Sequence, residues 1–385
     1  MASKIKVLQV IPSLGFGGAE TGCYDLAHYL SEKGCTSYIA TSGGKLLKFV
    51  KKNKVKIFRL PVQSKNPLLI IFNTIILSLL ILINNINIVH ARSRAPAWSC
   101  YFACLITRRN FITTFHGTYN FTSNLKKFYN SIMLRSKLTI AGSNFIFNHI
   151  NANYDKYLSR KKKLRVIFRG ININYFSKKN ISILKQEKIK KEWELLPNKF
   201  IILMPGRLTY WKGQEKFIEA LNILVEDYNN FNFQAVVLGS DQGRKVYKKK
   251  LINLVQRYRL GQKIKFIEHC KEMPLAYSLA DVVVSASIEP EAFGRVSVEA
   301  QAMGKPIIAS DLGGSKETIL KGKSGFLYKH DDPRQLAKAL NSVIELDQDA
   351  LNSIGNEGRK NVTKKFDVEA MCDSTLREYK KLLNI

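Results

Sequence analysis

Two glutamates raise the first chemical question. Glu291 and Glu299 stand eight positions apart in EPEAFGRVSVEAQAMG (289–304), with Phe293 and Gly294 between them. If the stretch were helical throughout, the pair would lie about 12 Å apart along the axis. A retaining glycosidase needs its carboxyls about 5 Å apart and an inverting one roughly 6.5–9.5 Å, so the two acids do not flank one scissile bond. Carboxylates also accept hydrogen bonds from sugar and ribose hydroxyls. Each glutamate can therefore hold a different part of one long ligand, while N–H groups near Phe293 and Gly294 meet its phosphates. A nucleotide-sugar has that layout: sugar, diphosphate, ribose.

Four further turns fit the same ligand. In MPGRLTYWKGQE (204–215), Arg207 and Lys212 lie in a glycine-bracketed loop between a strand and a helix. A guanidinium fork, an ammonium and a helix N-terminus together make a diphosphate site. In PSLGFGGAE (12–20), Gly15, Gly17 and Gly18 allow close backbone approach to an anion at a helix start. Their spacing is not G-x-G-x-x-G, and the second strand ends without the acid that grips a ribose in a dehydrogenase. TTFHGTY (113–119) places His116 just after a strand, and SDLGGSKET (310–318) offers glycines for close approach to the ligand.

These turns need strands before them and helices behind them. Short β-branched runs alternate with amphipathic stretches from KVLQVI to LRVIFR, and again from KFIILMP to GFLY. Between the two series, 170–198 is polar, basic and weakly patterned, as in a linker with one short helix. From 332 to 384 the pattern is helical throughout. Alternation on both sides of a linker predicts an α/β protein of two doubly wound parallel sheets, with ligands beyond the carboxyl ends of the strands.

At 385 residues the chain is too long for one ordinary core. Six cysteines without a C-x-x-C pair fit a reducing cytosol better than a disulfide framework or a zinc site. The net charge of +31, from 61 Lys and Arg against 30 Asp and Glu, suits an anionic partner or simply a solvated basic surface. Basic clusters fall at 45–56, 159–166 and 178–193. KIKVLQVIP runs straight into a strand, so no signal peptide is expected. The apolar PLLIIFNTIILSLLILI (67–83) is interrupted by Asn73, Thr74 and Ser78 and reads as a helix buried on a sheet.

Together these motifs resemble the retaining glycosyltransferases of the GT-B fold, family 4 (glycosyl transferases group 1). The likeness rests on the E-x7-E of Glu291 and Glu299 within PEAFGRVSVEAQAMGKPIIASDLGG, on GRLTYWKG, and on GGAE. With RSRAPAW (92–98) and TTFHGTYN, the version is similar to bacterial enzymes of lipopolysaccharide or surface-glycan synthesis. Asn172 in RGININ stands where relatives often carry Asp.

The resemblance implies two Rossmann-like domains facing a cleft. Residues 1–175 would be the acceptor-side domain, 176–365 the nucleotide-sugar domain, and 366–385 a helix crossing back. Glu291 would hold donor-sugar hydroxyls, Glu299 the ribose, and Arg207 and Lys212 the leaving diphosphate. Gly17 and Gly18 would face the phosphates, and His116 the transferred sugar. Val296 joins Phe293 and Gly294 as a donor contact, and base contacts are expected near Gly239 and Cys270. The co-substrate would be a nucleotide-diphosphate sugar, with no cofactor and no metal; the D-x-D of Asp347 and Asp349 lies away from any strand end. The acceptor would be a glycan or lipid-linked, at the inner face of the cytoplasmic membrane, with the basic clusters meeting an anionic surface and no nucleic acid bound. A GT-B epimerase or hydrolase, and a non-enzymatic basic nucleic-acid- or membrane-binding protein, are the rival readings.

Overall fold

A computed structural model describes residues 5–158 and 163–385; residues 159–162 of the basic cluster at 159–166 lie outside them. The chain forms two units, Met1–Gly170 with Val368–Ile385, and Ile171–Asp367. These bounds stand against 175 and 365 from the sequence. Ile171 already belongs to the second unit because its N–H donates to the Phe366 carbonyl at 2.9 Å and it bridges to Asp367.

The first unit is a seven-stranded parallel sheet ordered β3-β2-β1-β4-β5-β6-β7. Its strands are β1 (Lys6–Val10), β2 (Thr36–Thr41), β3 (Val55–Arg59), β4 (Ile88–Ala91), β5 (Asn110–Phe115), β6 (Leu138–Ala141) and β7 (Lys163–Val166). Around them run α1 (Gly18–Glu32), α2 (Pro67–Ile83), α3 (Arg94–Thr107), α4 (Asn124–Ser131) and α5 (Asn144–Tyr154). The second unit is a six-stranded parallel sheet ordered β10-β9-β8-β11-β12-β13. Its strands are β8 (Phe200–Pro205), β9 (Phe233–Leu238), β10 (Ile264–Ile267), β11 (Val282–Ser285), β12 (Ile307–Ser310) and β13 (Phe326–Tyr328). Its helices are α6 (Ile183–Glu192), α7 (Gln214–Glu226), α8 (Lys245–Arg257), α9 (Met273–Leu279), α10 (Arg295–Ala302), α11 (Pro333–Ile344) and α12 (Gln348–Lys365). These are the two parallel Rossmann-like sheets that the alternation predicted.

The central strands are apolar because helices cover both faces. All six residues of β9 are buried, and it pairs with β8 from Phe200–Phe233 to Pro205–Leu238. Order reverses between β1 and β4 in the first sheet and between β8 and β11 in the second. Loops after those strands are where a doubly wound sheet presents ligands.

The last helix, α13 (Val368–Leu383), completes the core of the first unit. Cys372, Leu376 and Tyr379 pack with Leu26, Leu30, Ile88 and Ile112. Tyr379 Oη lies 2.6 Å from His90 Nδ1. Asp347 of the D-x-D caps α12, its carboxylate accepting from the Ala350 N–H at 2.8 Å.

One expectation is corrected. α2 is a helix, but it is not a buried core helix: one stripe packs inward and the opposite stripe, from Leu68 to Ile83, is exposed. The expected helix buried on a sheet has only one covered face, which packs beside α3. Among the described residues no helix is long and apolar enough to cross a membrane.

Candidate functional site

In the second unit, the loops after β8 and β11 are tied together by charge. Lys212 Nζ donates to Glu291 Oε1 at 2.7 Å, and Ser287 Oγ donates to the same oxygen at 2.6 Å. Burial pushes the Glu291 carboxyl upward. The Lys212 charge and hydrogen bonds from Lys212, Ser287 and Ser285 outweigh it, so the pKa lies below the usual value. An ammonium has three donors, so Lys212 keeps capacity for a second anion. It also lies 4.5 Å from the centre of the Trp211 ring. Arg207 is exposed, and no ion pair engages it among the described residues.

Glu299 is buried on α10, 7% exposed. Tyr277 Oη on α9 donates to its Oε2 at 2.8 Å, and Arg295 Nε to its Oε1 at 2.5 Å. Burial, then the Glu299 charge, push the Tyr277 phenol far up, so it stays a donor. Tyr277 escaped the sequence reading because it lies mid-helix, outside any turn motif.

Phe293 contributes its ring to packing. Its ring is buried edge-on against Phe366, centroids 5.5 Å apart, and serves as core packing. Only its backbone remains for a ligand. Gly294 begins α10 at φ +85°, and a Cβ there would stand 2.6 Å from Ser315 Cα. That loop is likewise the partner of SDLGGSKET: the Gly314 N–H donates to the Glu291 carbonyl at 2.7 Å. The close approach these glycines permit here is of chain to chain. Gly239 has the same constraint, since a Cβ would meet the Gly206 carbonyl oxygen at 2.0 Å. Val296 is half-buried in the first turn of α10. Cys270 Sγ donates to the Glu272 carbonyl at 3.3 Å.

In the first unit, Gly17 is the N-cap of α1 and brings no side-chain cap, so the first-turn N–H groups lack that partner. The Gly18 carbonyl accepts from Arg169 Nη2. Arg169 Nη1 lies 3.2 Å from His116 Nδ1. Burial, then the charges of Arg169 and Arg92, hold the His116 imidazole well below its usual pKa. A guanidinium only donates, so Nδ1 of the neutral ring accepts and the proton sits on Nε2. That Nε2 is buried with no hydrogen-bond partner. A small cavity is lined by Gly22, Arg92, Thr114, His116 and Arg169. Arg169 went unnoticed in the sequence, although the RGININ loop after β7 was the available signal.

Among the described residues no group of three or more His, Cys, Asp or Glu converges to hold a metal ion.

Two parallel Rossmann-like units with acids and cations at their strand ends define a GT-B glycosyltransferase class. The family model for glycosyl transferases group 1 matches residues 185–361, and that for Glycosyltransferase Family 4 matches residues 16–175. The chain belongs to this family. A crystal structure of a glycosyltransferase from Rickettsia africae ESF-5 is 36% identical and covers 99% of each chain, with a TM-score of 0.90. Anabaena Alr3699/HepE, solved in complex with UDP-glucose, is 23% identical over 98% of this chain and 100% of that one, with a TM-score of 0.82. At that identity the likeness shows the fold alone. Among curated proteins, the capsular polysaccharide biosynthesis glycosyltransferase CapM of Staphylococcus aureus is 28% identical over 57% of this chain and 58% of its own. Spore coat protein SA of Bacillus subtilis (strain 168) is 27% identical over 59% of this chain and 61% of its own. The match thus spans about three fifths of these curated relatives.

Proposed function

We propose that this chain transfers a sugar from a nucleotide-diphosphate donor to a glycan or lipid-linked acceptor with retention of configuration, without metal, in bacterial surface-glycan synthesis. One observation carries the reading: Lys212 and Glu291 meet at 2.7 Å where the loops after β8 and β11 adjoin the sheet's reversal point, with exposed Arg207 in the same loop as Lys212.

As the bond to the nucleotide breaks, negative charge grows on the diphosphate. Arg207 and the remaining donors of Lys212 oppose that charge without reorganising, which stabilises the departing group more than the bound donor. Glu291, fixed by Lys212 and Ser287, accepts from hydroxyls of the transferred sugar. Glu299, fixed by Tyr277 and Arg295, accepts from the ribose. The UDP-glucose held by the Anabaena neighbour makes uridine donors the first to test.

Thermal-shift titration with nucleotide-sugars of different bases is expected to single out one donor, because a ligand bound only by the native state raises Tm with affinity. Nuclear magnetic resonance of the product then reads its anomeric configuration. Inversion would refute retention. Donor turnover into free sugar or an epimer, indifferent to acceptor, would favour the epimerase or hydrolase reading. Binding that follows salt alone and survives Glu291→Ala would favour the non-enzymatic one.

A further inference from the structure

Arg92, the residue after β4, is a buried cation, only 6% exposed. Its Nε has no hydrogen-bond partner, and it joins no ion pair among the described residues. The cavity it lines is shared with Arg169 and with His116, whose Nε2 is likewise buried without a partner. Gly22 of α1 is where the two guanidiniums meet. Arg92 Nη2 and Arg169 Nη2 lie 3.4 and 3.5 Å from the position that a Cβ on Gly22 would take. Two guanidiniums and an imidazole N–H thus converge on one small space, and no Asp or Glu lines it.

A buried lysine or histidine can relieve such a setting by losing its proton, but an arginine cannot. A charge taken out of water without a partner is costly, so the charge of Arg92 calls for an anion. Water would accept the hydrogen bonds and leave the charge unanswered. Size then selects among anions. The cavity offers about 20 Å³, little more than a single water requires. Phosphate, sulfate and carboxylate groups are larger, and Leu26, Ile140 and Ile167 on the wall have no donor for their outer oxygens. A halide ion is one atom and accepts hydrogen bonds from several directions at once.

We propose that the first unit binds a chloride ion in this cavity, held by Arg92, Arg169 and the Nε2–H of His116, beside Gly22. The ion neutralises Arg92, whose charge no acid of the cavity wall meets. It supports the folding of the unit and does not depend on the proposed transfer reaction.

Two measurements on the full chain test this. In thermal melts at constant ionic strength, chloride or bromide in place of gluconate is expected to raise Tm saturably, by about 2 °C. Gly22→Ala puts a methyl group into the cavity at a helical position that favours alanine, and Arg92→Met removes the buried charge. Both variants are expected to fold and to lose the halide response. In crystals grown with sodium bromide, anomalous scattering is expected to place bromide within hydrogen-bond reach of Arg92 and His116. Equal Tm in halide and gluconate, or a halide response that survives both substitutions, overturns the proposal. So does a cavity that holds only water. Bromide in the crystal with no Tm response is binding at crystal concentration only, and overturns it too.

Discussion

Lys212 and Glu291, 79 positions apart, meet at 2.7 Å with neither side chain more than 13% exposed. The ion pair binds the loop after β8 to the loop after β11, so the groups proposed to act on the donor also support one another. Removing one partner strands the other as a buried charge. Lys212→Ala is expected to destabilise by about 3–5 kcal/mol in denaturant melts. Glu291→Gln keeps a hydrogen-bonding oxygen for Ser287 and is expected to cost less. No measurable loss for either variant would show that the pair is not the main support of these loops.

Arg207 tests chemistry without that complication. It is exposed and outside the ion-pair network, so Arg207→Ala should change stability by no more than about 0.5 kcal/mol. Loss of a cation facing the leaving diphosphate is expected to lower kcat/KM roughly 10²–10³-fold. Steady-state kinetics with the identified donor read this directly, and unaltered turnover would remove Arg207 from the mechanism.

Acid should weaken the first unit before the Glu291 network. His90 and His116 are both held well below the ordinary histidine pKa, first by burial and then by neighbouring arginine charge. Below about 6.5 the unfolded chain takes up protons that the folded one refuses, so stability falls as pH drops through that window. Glu291 has the opposite kind of proton: its depressed pKa gives stability that is present above the usual carboxylate value of 4.5 and lost as pH falls through the lower folded one. Tm measured against pH is expected to decline first from about 6.5, and His116→Gln should flatten that first decline.

Phe293 separates packing from donor binding. Its ring is buried on Phe366, and Phe293→Ala should cost about 3–5 kcal/mol. Donor affinity per folded molecule should be nearly unchanged, as measured by calorimetry on the folded fraction at low temperature. A selective loss of affinity with stability intact would return the ring to the ligand.

How much of this was legible in sequence follows from where each constraint acts. Parallel strands covered on both faces appear as short apolar, β-branched runs, so β1 and β8 to β12 could be read directly, as could the turns holding Arg207, His116 and Glu291. Glycines marked tight places. Gly239 and Gly294 meet neighbouring backbone, and a glycine looks the same in sequence whichever partner comes near.

By itself, then, the sequence determined the two alternating series, the strand-end loops and the residue types they carry, because those depend on local period and composition. Tertiary structure alone decided who pairs with whom: Lys212 with Glu291, Tyr277 with Glu299, Arg169 with His116. It also decided which side of α2 faces in. That helix is apolar nearly all round, and its three polar side chains find carbonyl partners when buried, so no local rule fixes its orientation. Packing against α3 fixed it, leaving the aliphatic stripe outward.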